Sequence, residues 1–295
     1  MGPADFAELA EEAGAPYFCD PAINRPEHQR LAEEAGAEVA ISVNWPTLIG
    51  PEMLGRFPHG VVNAHAGDLP RYRGNATPNW AILAGEQRVV LTLHRMVECL
   101  DAGPVLAQRA FPLSDTTYVG DVYRFLAEAV PELFVQVLDG LEDGTLVAID
   151  QPEDPALSLR CYPRHPRDSR LDWDRAAAEL CRLVRASAEP FSGAYSFIGT
   201  DRVVVWRARA EPVGHPYLGV PGQVIDIRRR SGEVAVLTGE GALVLEEVET
   251  PAGRGPAAEY VRSTRTRFGM DVTAEMGRLL DRVRELEEIV SKRLP

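Results

Sequence analysis

The sequence predicts an α/β domain with a partly parallel sheet, followed by a small β-barrel-like domain. Three observations carry that expectation. Through about residue 144, β-rich apolar runs alternate with segments of helical period. A proline-studded stretch, QPEDPALSLRCYPRHPRDSR, breaks the pattern at 151–170. Beyond it the apolar runs become short and turn-bounded, as in GQVIDIRRRSGEVAVLTGEGALVLEEVET at 222–250. The 295 residues are 45% hydrophobic and 25% charged, enough apolar material for a sizeable core.

Taken in order, residues 4–13 read as a short helix, and APYFCDP (15–21) as a strand entering a loop. NRPEHQRLAEEAG (24–36) is a helix stopped by Gly36, EVAISVNW (38–45) a strand, and GPEMLGRF (50–57) holds a short helix. GVVNAH (60–65) is the next strand. TPNWAILAG (77–85) is a helix with Thr77 as its N-cap, Pro78 at its first position and Gly85 as its stop. VVLTLHRM (89–96) is a strand, and 117–144 a long helix bent at Pro131. A helix at 173–188 follows the connector. The expected division is a first domain over 1–199, a β domain over 201–268 and a closing helix over 269–295. In that helix Leu279, Val283, Leu286 and Val290 recur at alternating four and three residues. Packing on its own domain is the expected use of this stripe; a homodimer seam is the alternative.

Several classes are excluded or disfavoured. No apolar run approaches the roughly 18 residues of a membrane span, and the acidic start carries no signal segment, so a cytoplasmic location is expected. Cys19, Cys99, Cys161 and Cys181 lie far apart without a CxxC or paired His spacing, which predicts buried free thiols and no metal site. A formal net charge of −13 argues against a general nucleic-acid binder. The run RRR at 228–230 reads as a solvated turn.

The chemistry concentrates in VVNAHAGDLPRYRGNATPNWAIL, residues 61–83. Asn63 and His65 alternate on a strand and so share a face. They lie at its C-terminal end, where open α/β sheets bind ligands. An Asn amide can donate to a developing oxyanion, and an imidazole can move protons near neutral pH.

NAHAGDLPRYRG followed by LDAGPVLAQ resembles the folate-dependent formyltransferase family, which includes methionyl-tRNA, glycinamide ribonucleotide and sugar amine formyltransferases. That family's hallmark is similar to N-x-H-x-S-L-L-P, with an Asp in L-D-x-G one strand later. LDWDRAAAELCRLVRASAEPFSGAYSFIG, PGQVIDI and TGEGALVLEEV extend the likeness over most of 15–268. The resemblance implies a Rossmann-like catalytic domain with Asn63, His65 and Asp101 as catalytic residues, and a His at the matching place in the intervening strand, His94. It implies a formyl donor, N10-formyltetrahydrofolate, held against Pro46, Thr47, Leu48, Ile49, Met96, Val97 and Leu100. Asp68, Arg71 and Arg73 would face the acceptor, the two arginines either meeting it or fixing their loop. The acceptor expected is a small-molecule amine, with initiator tRNA as the alternative; a non-catalytic folate- or partner-binding relative is the reading from another class. Two departures stand out. Gly67 and Asp68 replace the Ser and first Leu of S-L-L-P. The glycine-containing strand–loop–helix with which the family usually opens has no counterpart before PADFAELAEEAGAPYF, so either a truncated gene product or a differently completed sheet is expected.

Overall fold

The computed structural model describes residues 3–214 and 218–293. In chain order the elements are α1 (Pro3–Glu12), α2 (Pro26–Glu34), β1 (Ala40–Val43), α3 (Pro51–Leu54), β2 (Val61–His65), β3 (Arg73–Gly74), α4 (Thr77–Ala84), β4 (Arg88–Arg95), β5 (Val105–Pro112) and α5 (Val119–Glu142). Then come β6 (Arg160–Cys161), α6 (Ala177–Ser187), β7 (Ala194–Ile198), β8 (Asp201–Glu211), β9 (Val224–Arg228), β10 (Glu233–Leu237), β11 (Ala242–Thr250), β12 (Gly253–Pro256), α7 (Ala257–Tyr260) and α8 (Val272–Arg293). The fold is the expected mixed α/β arrangement with a sheet-rich C-terminal part. The chain forms two compact units of discontinuous sequence: Met1–Gly74, Val90–Ala110 and Leu126–Arg160 in one, Asn75–Val89, Phe111–Phe125 and Cys161–Pro295 in the other.

A four-stranded sheet has the order β1-β2-β4-β5. β1 runs parallel to β2, and β4 antiparallel to it, with Asn63 opposite His94 and His65 opposite Thr92. Directly opposed residues point to one face, so this register delivers four polar side chains to the same face of the sheet. The apolar cover of the first unit includes Ile49, Met53 and Val61, with Met96 packed against them.

Several local expectations are corrected. Residues 15–20 form no strand; β1 is the edge of its sheet, and no strand among the described residues pairs with this segment. Ala76, not Thr77, caps α4: the chain enters the helix through a left-handed Ala76 (φ 52°), so Thr77 is already helical and Pro78 stands second. Gly85 does end α4, with φ 74°. The helix expected from 173 starts only at Ala177, and β5 was not anticipated. α5 runs on through Pro131 as one helix. All four cysteines are free, but Cys19 and Cys99 are exposed rather than buried.

In the second unit, strands follow the order β7-β8-β11-β10-β9, with β12 on β11. The expected boundary at 199–201 therefore falls between two paired strands of one sheet, β7 and β8. α6 supplies the core with Leu180, Cys181, Leu183 and Val184, one apolar stripe at helical spacing. It packs on β8 and β11, whose Val203, Val205, Leu243 and Leu245 are almost wholly buried. α8 contradicts the expectation of packing on its own domain: all its described side chains except Glu275 are exposed.

Leu243 sits on a central strand at 0% exposure. Leu243→Ala removes its contacts and leaves a cavity, so urea denaturation is expected to show a loss of about 2–5 kcal/mol.

Candidate active site

Asn63 and His65 end β2, His94 lies near the end of β4, and Asp101 sits in the loop before β5. The structure brings all four side chains into one cluster. The Asp101 carboxylate lies between the imidazoles: Oδ2 is 3.6 Å from His65 Nδ1, and Oδ1 is 3.5 Å from His94 Nε2. Oδ2 also accepts the backbone N–H of Gly74 at 2.8 Å. The rings of His65 and His94 stand edge to face, 6.2 Å apart. Relative exposure is 7% for His65 and 2% for His94.

Hydrogen bonds assign the tautomers. His65 Nε2 lies 2.6 Å from the carbonyl oxygen of Tyr72, which can only accept. Neutral His65 therefore carries its proton on Nε2, leaving Nδ1, the nitrogen facing Asp101, as its basic atom. His94 Nδ1 donates in the same way to the carbonyl of Arg95 at 3.1 Å, so its Nε2 accepts from the Asn63 amide at 3.2 Å. That bond uses one of the two amide hydrogens of Asn63 and leaves the other for a ligand oxygen.

Gly67 makes the His65 arrangement possible. A Cβ at this position would stand 2.3 Å from the Tyr72 carbonyl oxygen and 2.5 Å from His65 Nε2. The Gly that replaces the family's usual Ser is thus what lets the ring reach Tyr72. Beneath this loop Gln108 donates to Thr92 at 3.0 Å, and the Thr92 hydroxyl donates to the Gly67 carbonyl at 2.7 Å.

Burial pushes the His65 imidazole below its ordinary pKa, against an opposing pull from Asp101. Burial works in the opposite sense on Asp101 and would raise it. The His94 ring, the His65 ring and the Gly74 N–H together outweigh burial and hold the carboxyl below the usual range. The site at neutral pH is therefore a carboxylate flanked by a neutral His65 base. Because the unfolded chain protonates this histidine first, its contribution to stability declines as pH falls below about 6.5. The Asp101 contribution is lost only as pH falls further, through its lowered folded value.

One residue that shapes the cluster escaped sequence reasoning. Gln151 Nε2 donates to the carbonyls of Asp101 at 2.9 Å and Gly103 at 2.7 Å, while its Oε1 accepts from Arg73 at 2.6 Å. Asp101 itself is left-handed, with φ 49°, a costly conformation for a non-glycine residue. Gln151 ties down the carbonyl of that turn. Gly103 completes it, since a Cβ there would lie 1.8 Å from the Arg95 carbonyl oxygen. Gln151 lies in an irregular proline-rich stretch, 50 residues from Asp101, so neither periodicity nor motif marks it.

The remaining candidates are more dispersed. Leu48 is 69% exposed, Val97 40% and Leu100 37%, an apolar set open to solvent, and Pro46 and Thr47 are also exposed. Thr47 accepts from Trp45 and donates to the Pro21 carbonyl. Ile49 is buried and Met96 half-buried. Asp68 is half-buried; Arg71 lies over the Tyr72 ring, 5.3 Å from its centroid. Arg73 is committed to Gln151, which is the loop-fixing use of that side chain. No group of three or more His, Cys, Asp or Glu side chains that could hold a metal ion occurs among the described residues.

Two outcomes test this geometry. NMR of the imidazole nitrogens should find His65 titrating below the ordinary imidazole range, and Asp101→Asn should lower its titration further by removing an attractive charge. Gln151→Leu should loosen the Asp101 turn and move the His65 titration toward that of Asp101→Asn. In the Asp101→Asn background Gln151→Leu should add nothing, because coupled residues are not additive; an equal shift in both backgrounds would contradict this.

Comparison with known proteins places the chain. Residues 7–138 match the formyl transferase family, and residues 164–264 match the formyl transferase C-terminal domain. HypX from Aquifex aeolicus, solved with tetrahydrofolic acid, is 25% identical with a TM-score of 0.57; the match covers 80% of this chain but 41% of HypX. This chain thus spans less than half of HypX. An N-formyltransferase from Helicobacter canadensis, in complex with folinic acid and dTDP-3-aminofucose, is 14% identical, with coverage of 81% and 80% and a TM-score of 0.58. Methionyl-tRNA formyltransferase from Clostridium thermocellum is 18% identical, with coverage of 71% and 87% and a TM-score of 0.53. With both family domains matched in order over most of its length and the Asn–His–Asp cluster assembled, the chain belongs to the formyltransferase family.

Proposed function

We propose that the protein transfers a formyl group from N10-formyltetrahydrofolate to a primary amine of a small molecule. The observation that carries this reading is the cluster of half-buried Asn63 and Asp101 with buried His65 and His94 in a chain of this family. The donor brings a formyl carbon activated by the folate nitrogen that leaves it. The remaining work falls to the side chains. The uncommitted N–H of Asn63 donates to the formyl oxygen as it gains negative charge. His65 accepts a proton from the attacking amine at Nδ1 and returns one to the departing folate nitrogen, so the amine N–C bond forms as the folate N–C bond breaks and protons balance. Asp101 stabilises the imidazolium between those two events. The solvent-open Leu48, Val97 and Leu100 suit the apolar face of a folate ring.

Electrostatics supports a small acceptor. Formal net charge is −13, and a tRNA-binding surface has to neutralise several phosphates. The methionyl-tRNA reading draws its support from the C-terminal domain match over 164–264.

Asn63→Ala should slow formyl transfer about 10²–10³-fold, and His65→Ala about 10²–10⁴-fold. The acid limb of the rate profile should lie below pH 6.5 and shift lower still in Asp101→Asn, while the rate itself falls. Mass spectrometry after incubation with formyl donor and either a panel of amines or charged initiator tRNA decides the acceptor. Formylation of the tRNA alone at physiological salt would favour the second reading, and no transfer to any acceptor would favour a non-catalytic relative.

A further inference from the structure

The apolar stripe of α8 is uncovered. Leu279 is 61% exposed, Val283 50%, Leu286 45% and Val290 54%, with Met276 at 54% one step earlier. Their spacing of three and four residues averages the 3.5-residue repeat of a two-stranded seam. In that repeat Met276, Val283 and Val290 take the first core position, and Leu279 and Leu286 the second. A β-branched residue at the first with leucine at the second favours parallel pairs over larger bundles. Leu280 and Ile289, 52% and 44% exposed, widen the stripe.

The flanking charges fix partner and direction. Arg282 immediately precedes the core residue Val283, and Glu287 immediately follows Leu286. In a parallel pair in register these positions oppose each other, so Arg282 of each copy faces Glu287 of the other, twice by symmetry. In an antiparallel pair they do not meet. At present Arg282 bonds Glu285, one turn on, at 2.8 Å with both side chains largely exposed, a contact worth little and readily exchanged. We propose that two copies of this chain associate through α8 as a parallel coiled coil. This inference is independent of the acceptor and of catalysis.

Sedimentation velocity of the full chain over roughly 1–100 µM tests it. A concentration-dependent monomer–dimer equilibrium is expected. Leu286→Asp should give monomer throughout. Arg282→Glu and Glu287→Arg should each weaken the dimer roughly tenfold, since each replaces two attractions with two repulsions of modest size. An equimolar mixture of these two variants should regain wild-type affinity, because Glu at 282 then faces Arg at 287. Wild-type protein that stays monomeric at the highest concentration would overturn the proposal. So would a dimer indifferent to the charge variants, or a mixture no tighter than either variant alone.

Discussion

A carboxylate taken out of water has to be repaid by its neighbours, or it takes up a proton. Asp101 accepts the Gly74 N–H directly and stands between two imidazoles, each of which it attracts once that ring takes up a proton. The rest of the site follows from that anion remaining charged. It gives the imidazolium of His65 somewhere to exist, and it separates the two rings. The bond from Nε2 to the Tyr72 carbonyl fixes Nδ1 as the nitrogen of His65 that faces Asp101. A neutral acid in its place would leave two histidines with no common partner.

The sheet does the placing. β4 returns antiparallel beside β2, and this brings His94 opposite Asn63. A one-residue slip would turn His94 to the far face and take the Asn63 amide's partner away. Val61, Val62, Leu91 and Leu93 are almost fully buried and hold that register. The same residues that make the core therefore set the orientation of an amide hydrogen several residues away.

Much of this was legible in the sequence, for reasons that differ by element. Asn63, His65 and Asp101 could be read because their chemistry is written locally, at strand ends and in a short motif. α6 and β2 could be read because burial imposes a period. Gln151 could not, since its role depends on a contact across 50 residues and an isolated glutamine carries no pattern. Residues 15–21 have strand composition, but a ladder requires a neighbour as well as a propensity. Thr77 has the chemistry of a helix cap and lost the position to the left-handed turn at Ala76. The α8 stripe was visible from its spacing; that it lies bare is a property of the tertiary structure.

The missing Cβ at Gly67 has a consequence for substitution. Any side chain there meets the Tyr72 carbonyl and the His65 ring at once, so a serine cannot be restored at this position alone. Tyr72, held at φ 58°, would have to move first, and His65 would have to give up its tautomer-setting bond. Positions 65, 67 and 72 thus form one packed unit. The close approach of backbone to ring, rather than any polar contact, is what keeps position 67 free of a side chain.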